Sequence, residues 1–292
     1  MEPHPMTQAT NEKRLLAVLA HPDDETFGMG GTLAYYAQRG VHTYLICATR
    51  GEAGGMEENC LDGFDSVAAR RESELRCAVG ILGIKELFFL DYRDSGMPGS
   101  ADNQHPNALI NAPQRQVAEK IAHLIRQIRP QVLITFDPIG GYKHPDHIAI
   151  HRATVEAFYL AAEERFEDGL PPYQPAKLYF HLIPKGFLKT AIHLLRLFGK
   201  DPRRFGKNGD IDLVALVEEG DFPIHARIRY GAAYEKKQLA SRCHESQLDG
   251  ALISNPIARW VNRLFASSDA YLRAYPPSPS NHLENDLFEG IP

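Results

Sequence analysis

The chain has 292 residues, 43% hydrophobic and 24% charged, the make-up of an ordinary globular protein. A formal net charge of −5 argues against a broad basic face for nucleic acid, and it gives no general attraction to anionic membranes. No apolar run is long enough to insert across a bilayer, and the polar N-terminal stretch MEPHPMTQATNEK lacks a signal-peptide core. Its first ~12 residues read as a loose leader. Cys47, Cys60, Cys77 and Cys243 form no CxxC pair and no disulfide framework, which fits a reducing, cytoplasmic location. Cys47 and Cys77 sit on apolar elements and read as core.

Residues 15–20, LLAVLA, are continuously apolar and predict a strand buried on both faces. A helix is expected over Thr26–Gln38, stopped by Gly40, then a second strand over 41–49. The glycine-rich RGEAGG loop leads to an expected helix over 67–82, ended by Gly83, and a third strand over 86–92. Between Pro113 and Arg129, Val117, Ile121, Leu124, Ile125 and Ile128 make one helical stripe. A fourth buried strand follows over 131–136, then the loop DPIGGYKHPDH and a helix over 148–164. Beyond residue 165 the pattern weakens. A proline-rich entry precedes a short strand. The segment 186–200 is a basic amphipathic helix that reads as packing, as a substrate lid or as a membrane-touching surface. ARIRYGAAYEKKQLASRCHESQL reads as a strand leading into a helix that carries His244, and the C-terminal tail as irregular.

Strands alternating with helices predict an α/β, Rossmann-like, mostly parallel sheet with helices on both faces, plus a smaller C-terminal part. No repeat or long linker divides the chain. It reads as a single catalytic domain, 1–292, with a core over 14–165 and an extension over 166–292 that shapes the substrate cleft.

Ligands of such sheets bind at the C-terminal ends of the strands. Four expected loops bring unusual residues to that edge: His21–Glu25, Glu52, Asp91–Asp94 and Tyr142–His147. In AHPDDE, His21 and Asp24 are three apart. On a tight turn entering a helix both can face one point, and imidazole plus carboxylate suits zinc or another divalent transition metal. The same string also reads as a helix N-cap, with Asp23 or Asp24 capping and His21 a polar turn residue. In GGYKHPDH, His144 and His147 are again three apart, around Asp146. A third ligand from this loop completes two histidines and one carboxylate, with positions left for water, as in catalytic sites; taken alone, the string also reads as a histidine-bearing surface loop. Glu25 reads either as an outer partner of a ligand or as a first-turn acid. His151 reads as packing, and His244 as an edge-of-site residue at most.

AHPDDE (20–25), GMGGTL (28–33), TRGEAG (49–54), RESELRCAVGILG (71–83), YRDSGM (92–97), GGYKHPDH (140–147) and HESQ (244–247) together resemble the PIG-L, or LmbE-like, family of metal-dependent N-acetylglucosamine deacetylases. YRDSGM and GGYKHPDH lean toward the branch of mycothiol-pathway deacetylases and conjugate amidases. The resemblance implies hydrolysis of the N-acetyl group of an N-acetylglucosamine-containing small molecule by metal-activated water. His21, Asp24 and His147 would be metal ligands, with zinc the implied metal and iron(II) suited to the same donors. Asp23 would be the general base. His144 would stabilise the oxyanion or protonate the amine, with Asp146 orienting its ring, and Tyr142 would reach the carbonyl oxygen. Arg71 and Asp94 would contact sugar hydroxyls, with Glu52 nearby in its loop. Read from the residues alone, Arg71 also suits a surface pair with Glu74, and Asp94 a turn. An S-conjugate amidase and a natural-product tailoring deacetylase would use the same site. A non-catalytic metal- or sugar-binding module would not need Asp23. A homo-oligomer is left open by the sequence.

Overall fold

The computed structural model describes residues 12–55, 61, 63–205, 209, 211–219, 222–247, 267–278 and 282–292. Nearly all of the expected leader, and Cys60, lie outside the described residues. In chain order the elements are β1 (Arg14–Leu19), α1 (Asp24–Phe27), α2 (Gly30–Ala37), β2 (His42–Cys47), α3 (Val67–Leu82), β3 (Glu86–Phe89), α4 (Gln114–Ile128) and β4 (Val132–Phe136). They continue with α5 (Gly140–Lys143), α6 (Pro145–Leu160), β5 (Lys177–Leu182), α7 (Lys185–Leu197), α8 (Leu213–Glu218), β6 (Ala226–Arg229), α9 (Tyr234–Cys243) and β7 (Ser268–Tyr275).

The strands form a seven-stranded sheet in the order β3-β2-β1-β4-β5-β7-β6. β1 pairs in parallel with both β2 and β4, and β2–β3 and β4–β5 are parallel as well. β7 runs antiparallel between β5 and β6. The central strands are apolar because both faces are covered; Leu15, Leu16, Ala17 and Val18 have no exposed surface. After β1 the chain steps outward to β2 and β3, then returns to the other side of β1 with β4. This reversal opens a crevice at the carboxyl ends of β1 and β4, where α/β sheets bind ligands.

Several expectations need correction. The helix expected over Thr26–Gln38 breaks after Phe27 into α1 and α2. Gly31 is the reason for close packing here: a Cβ at this position would overlap the Tyr230 ring. β7 was not expected, since SDAYLRAY follows no clear turn signal; it gains its strand character from partners on both sides. Cys77 and Cys243 are bonded to each other across 166 residues, where unpaired thiols were expected. Cysteine spacing cannot reveal a pair that only the packing of α9 on α3 brings together. Cys77 is also exposed rather than core, while Cys47 is a buried free thiol.

The C-terminal tail is tied to the sheet. Glu284 bridges to Ala226, and its buried carboxylate accepts from Lys177 Nζ (2.7 Å), Tyr179 OH (2.6 Å) and Arg273 Nη1 (2.7 Å). Burial pushes this carboxyl up, but its donors outweigh burial and hold the pKa below the usual value. A depressed folded-state pKa gives stability that is complete above the unfolded value of about 4.3 and is lost as pH falls through the folded one. Glu284→Gln is therefore expected to cost about 3 kcal/mol at pH 7 by urea or thermal denaturation. The gap to wild type should narrow below about pH 4.

Candidate metal centre and active site

The loop after β1 turns at His21–Asp24 before α1. His21 donates its backbone N–H to Asp24 Oδ2 (2.8 Å), which folds the Asp24 carboxylate back toward the His21 ring. Asp23 occupies the N-cap position of α1, yet its side chain makes no cap hydrogen bond. Its backbone lies at φ 123°, a conformation rare for a residue with a side chain. The carboxylate instead meets Arg71 Nη2 at 3.0 Å.

The second half of the site follows β4. Asp137 accepts the N–H groups of Ile139 (3.1 Å) and Gly141 (2.9 Å), fixing the turn that carries Tyr142. Gly140 and Gly141 both have positive φ there, which glycine adopts without a Cβ penalty. His144 caps α6, its Nδ1 accepting the Asp146 N–H at 3.2 Å, and Pro145 follows at the first helical position. His147 donates Nδ1–H to the Gly140 carbonyl (3.2 Å), which leaves Nε2 as the free lone pair. Its ring stacks on Phe136 at 3.9 Å.

These two halves meet. His21 Nδ1 lies 3.2 Å from His147 Nε2 and 3.5 Å from Asp24 Oδ2, and Asp24 Oδ1 lies 3.2 Å from His147 Nε2. Four tetrahedral ligands at zinc distances sit about 3.3 Å from one another. The three side chains therefore fit a divalent ion. Two overlapping groups, His21–His144–His147 and His21–Asp94–Asp146, also bring donor atoms within 4.8 Å of one another.

Charge points the same way. Asp24, Glu25, Asp94 and Asp146 are buried here with Asp23 at their edge, while Arg71 is the buried permanent cation among them. Burial alone drives the His21 ring toward neutrality, but Asp94, Asp146 and Asp24 outweigh it and raise its pKa well above the usual value. Burial pushes Asp24 up, and His147 and His21 more than reverse that. Asp94 is likewise held below the carboxylate range, His21 outweighing its burial. Asp23 is raised to about 6, by burial first and by Asp24, against the pull of Arg71. His144 is lowered to about 2 by burial and by the neighbouring His21 and His147 rings, so it is a neutral imidazole.

Other expected residues take places the sequence did not reveal. The Asp146 carboxylate faces His21 Nε2 at 3.1 Å, not the His144 ring, and it also accepts from Ser95 N and Ser95 Oγ. This partner fixes His21 with Nδ1 toward the donor cluster. Arg71 is buried and donates to Pro22 O, Gly51 O and Asp23 Oδ2 rather than pairing with Glu74 at the surface. A Cβ at Gly51 would overlap its guanidinium, so the TRGEAG glycine admits this arginine. Glu52 accepts the Asp94 N–H at 3.0 Å, and Asp94 accepts the Gly96 N–H at 2.8 Å. His151 donates to the Phe136 carbonyl from within the packing of α6. Sequence reading missed Ser95 and Asp137; a serine or an aspartate in a loop gives no signal of what it will orient.

The cluster opens into a cavity of about 1450 Å³. His21, Asp23, Asp24, Arg71, Asp94, Tyr142, His144 and His147 all reach its wall. The basic helix α7 does not stand free: Leu188 and Ile192 pack against Leu213 and Leu216 of α8, beside Tyr142 and Ile183, and the pair covers one side of the cavity.

Residues 16–158 match the family described as PIG-L: GlcNAc-PI de-N-acetylase, and the chain belongs to this PIG-L, or LmbE-like, family. Among individual proteins it is 42% identical to the 1D-myo-inositol 2-acetamido-2-deoxy-alpha-D-glucopyranoside deacetylase of Kineococcus radiotolerans, over 96% of this chain and 83% of that protein. The N,N'-diacetylchitobiose deacetylase of Pyrococcus horikoshii shares the fold at a TM-score of 0.62 and 21% identity, covering 90% of this chain and 84% of that one. The 4-carboxy-2-hydroxymuconate hydratase of Pseudomonas putida shares it too, at a TM-score of 0.58 and 18% identity over 92% and 99% of the two chains. The fold by itself therefore does not decide the reaction.

Elemental analysis of the purified protein is expected to find one divalent ion per chain. Asp24→Ala or His147→Ala should each weaken metal binding by more than the roughly 10–100-fold typical of losing an outer partner.

Proposed function

We propose that this protein is a metal-dependent N-deacetylase that hydrolyses the acetamide of an N-acetylglucosamine-containing small molecule. The observation that carries the reading is Asp23, a carboxylate held beside three converging metal donors, in a chain whose relatives are named deacetylases. We read His21 Nδ1, Asp24 and His147 Nε2 as the ligand set. Asp94 and Asp146 are less suited, because they meet His21 at Nε2 while His147 and Asp24 converge at Nδ1, and Ser95 N–H and Oγ–H already occupy both Asp146 oxygens. Zinc is the metal we favour, and iron(II) suits the same donors.

When bound, a divalent ion lowers the pKa of water toward ~7 and polarises an amide carbonyl. Asp23 takes the proton from the attacking water, its carboxylate aimed by Arg71. Charge then grows on the carbonyl oxygen. His144 receives the Asp146 N–H at Nδ1, so its own proton sits on Nε2, ready to hydrogen-bond that oxygen. Tyr142, on the same wall of the cavity, is a second donor. The leaving amine needs a proton, and Asp23 returns the one it took. Asp94 reaches the cavity and is read as a sugar contact, with Glu52 acting through it; Arg71 serves the base first.

A second reading keeps the site and enlarges the substrate to a mycothiol S-conjugate or a glycosylated natural product. The cavity favours it: its 1450 Å³ exceeds the ~300–1,000 Å³ of ordinary small-molecule sites, and Phe187, Leu188, Leu195, Phe205 and Leu216 give one side an apolar lining. Release of free amine from a panel of N-acetylglucosaminides with small polar or bulky apolar aglycones separates the two. We also read the chain as one catalytic domain, supported by a sheet that continues through β5, β6 and β7. A cytoplasmic location belongs to the same reading; the buried free Cys47 supports it and the Cys77–Cys243 bridge weighs against it.

Asp23→Asn is expected to keep its metal and to lose at least about 100-fold in acetate release. Unchanged turnover by a metal-loaded variant would refute Asp23 as the base.

A further inference from the structure

Asp23 holds its place at a cost. A residue with a side chain at φ 123°, ψ −29° is strained and persists only where its surroundings over-determine it. Two groups hold the Pro22–Asp23 peptide from its two edges. Arg71 takes the Pro22 carbonyl at 2.6 Å, and Glu25 Oε2 takes the Asp23 N–H at 2.9 Å. Glu25 is fully buried, as is the ring that holds it: His244 Nε2 lies 2.8 Å from Glu25 Oε1, which also accepts from Thr26 Oγ1. Neither Glu25 nor His244 reaches the wall of the cavity.

His244 arrives from 219 residues downstream, and its segment is fastened to α3 on both sides. Cys243 is bonded to Cys77, while Ser246 gives both its N–H (3.0 Å) and its Oγ–H (2.7 Å) to the buried Glu74 carboxylate. Arg71 and Glu74 thus sit one turn apart on α3, the first on Asp23 directly and the second on the segment that carries His244.

We infer that Glu25 and His244 are a positioning pair for the base: His244 fixes the Glu25 carboxylate, and Glu25 pins the Asp23 backbone in the strained turn that aims its carboxylate at the reacting water. Glu25 is a positioning residue and not a metal ligand, because both its oxygens already serve Asp23, Thr26 and His244. This assignment rests on the reading of Asp23 as the base.

The test compares Glu25→Gln, His244→Ala and His244→Gln with wild type and with Asp23→Asn, all zinc-loaded. Metal content should stay at the wild-type level, since no ligand is touched. In the crystal structure of His244→Ala, Asp23 should leave its positive φ and lose its contact with Arg71. His244→Gln, which restores an N–H donor at similar reach, should recover both. With N-acetylglucosamine glycosides, kcat should fall about 10–100-fold in His244→Ala, with KM within threefold. In the Asp23→Asn background His244→Ala should change kcat less than twofold, because it acts through the missing carboxylate. An Asp23 turn that is unaltered in His244→Ala and Glu25→Gln overturns the proposal. So does a variant that loses metal and activity together, and so does additivity with Asp23→Asn. An Asp23→Asn enzyme of full activity instead overturns the assignment of the base.

Discussion

The structure is organised around an imbalance of charge at the mouth of the sheet. Asp23, Asp24, Glu25, Asp94 and Asp146 come together where β1 and β4 part, and most are buried. Like charges at such range raise one another's energy, and each loses hydration. Glu25 is answered by His244 and Asp23 by Arg71, while Ser95 and backbone N–H groups answer Asp146 and Asp94. Asp24 faces two imidazole nitrogens, a donor set that suits a divalent cation. Every other device at the site keeps those three donors free and aimed.

The fold makes this concentration affordable. The crevice lies outside the carboxyl ends of two central strands whose apolar residues carry the stability of the domain. Each donor side chain is fixed by a neighbour. Asp146 sets the tautomer of His21, the Gly140 carbonyl sets that of His147, and Phe136 stacks against the His147 ring. The strained turn at Asp23 is held from α3 and from the segment after α9. The Asp23 carboxylate on the cavity wall is thereby set from behind, by a residue over two hundred positions away in sequence.

Much of this was legible in the chain. Continuous apolar runs marked the buried strands, and the 67–82 helix agrees with α3. The two HPD strings pointed to the residues that meet in space. What was not legible depended on partners rather than on local pattern. Asp146 sits beside His144 in sequence, yet its carboxylate turns to His21, because His144 is occupied as the cap of α6. Arg71 looked like one half of an i,i+3 surface pair and is instead threaded past Gly51 to Asp23. Glu25 and His244 could not be joined by any spacing rule, and Cys77 and Cys243 were paired only by the packing of two helices. β7 took its form from the strands beside it.

On our reading His21 Nδ1, Asp24 and His147 Nε2 hold a divalent ion on the cavity side of the His21 ring. The most direct measurement is anomalous diffraction at the zinc edge from crystals of the zinc-loaded protein. The account predicts a single peak about 2.0–2.2 Å from those three donors, with His21 Nε2 still on Asp146. A peak on the other side of the ring, between Asp94 and Asp146, or no peak at all, would contradict it.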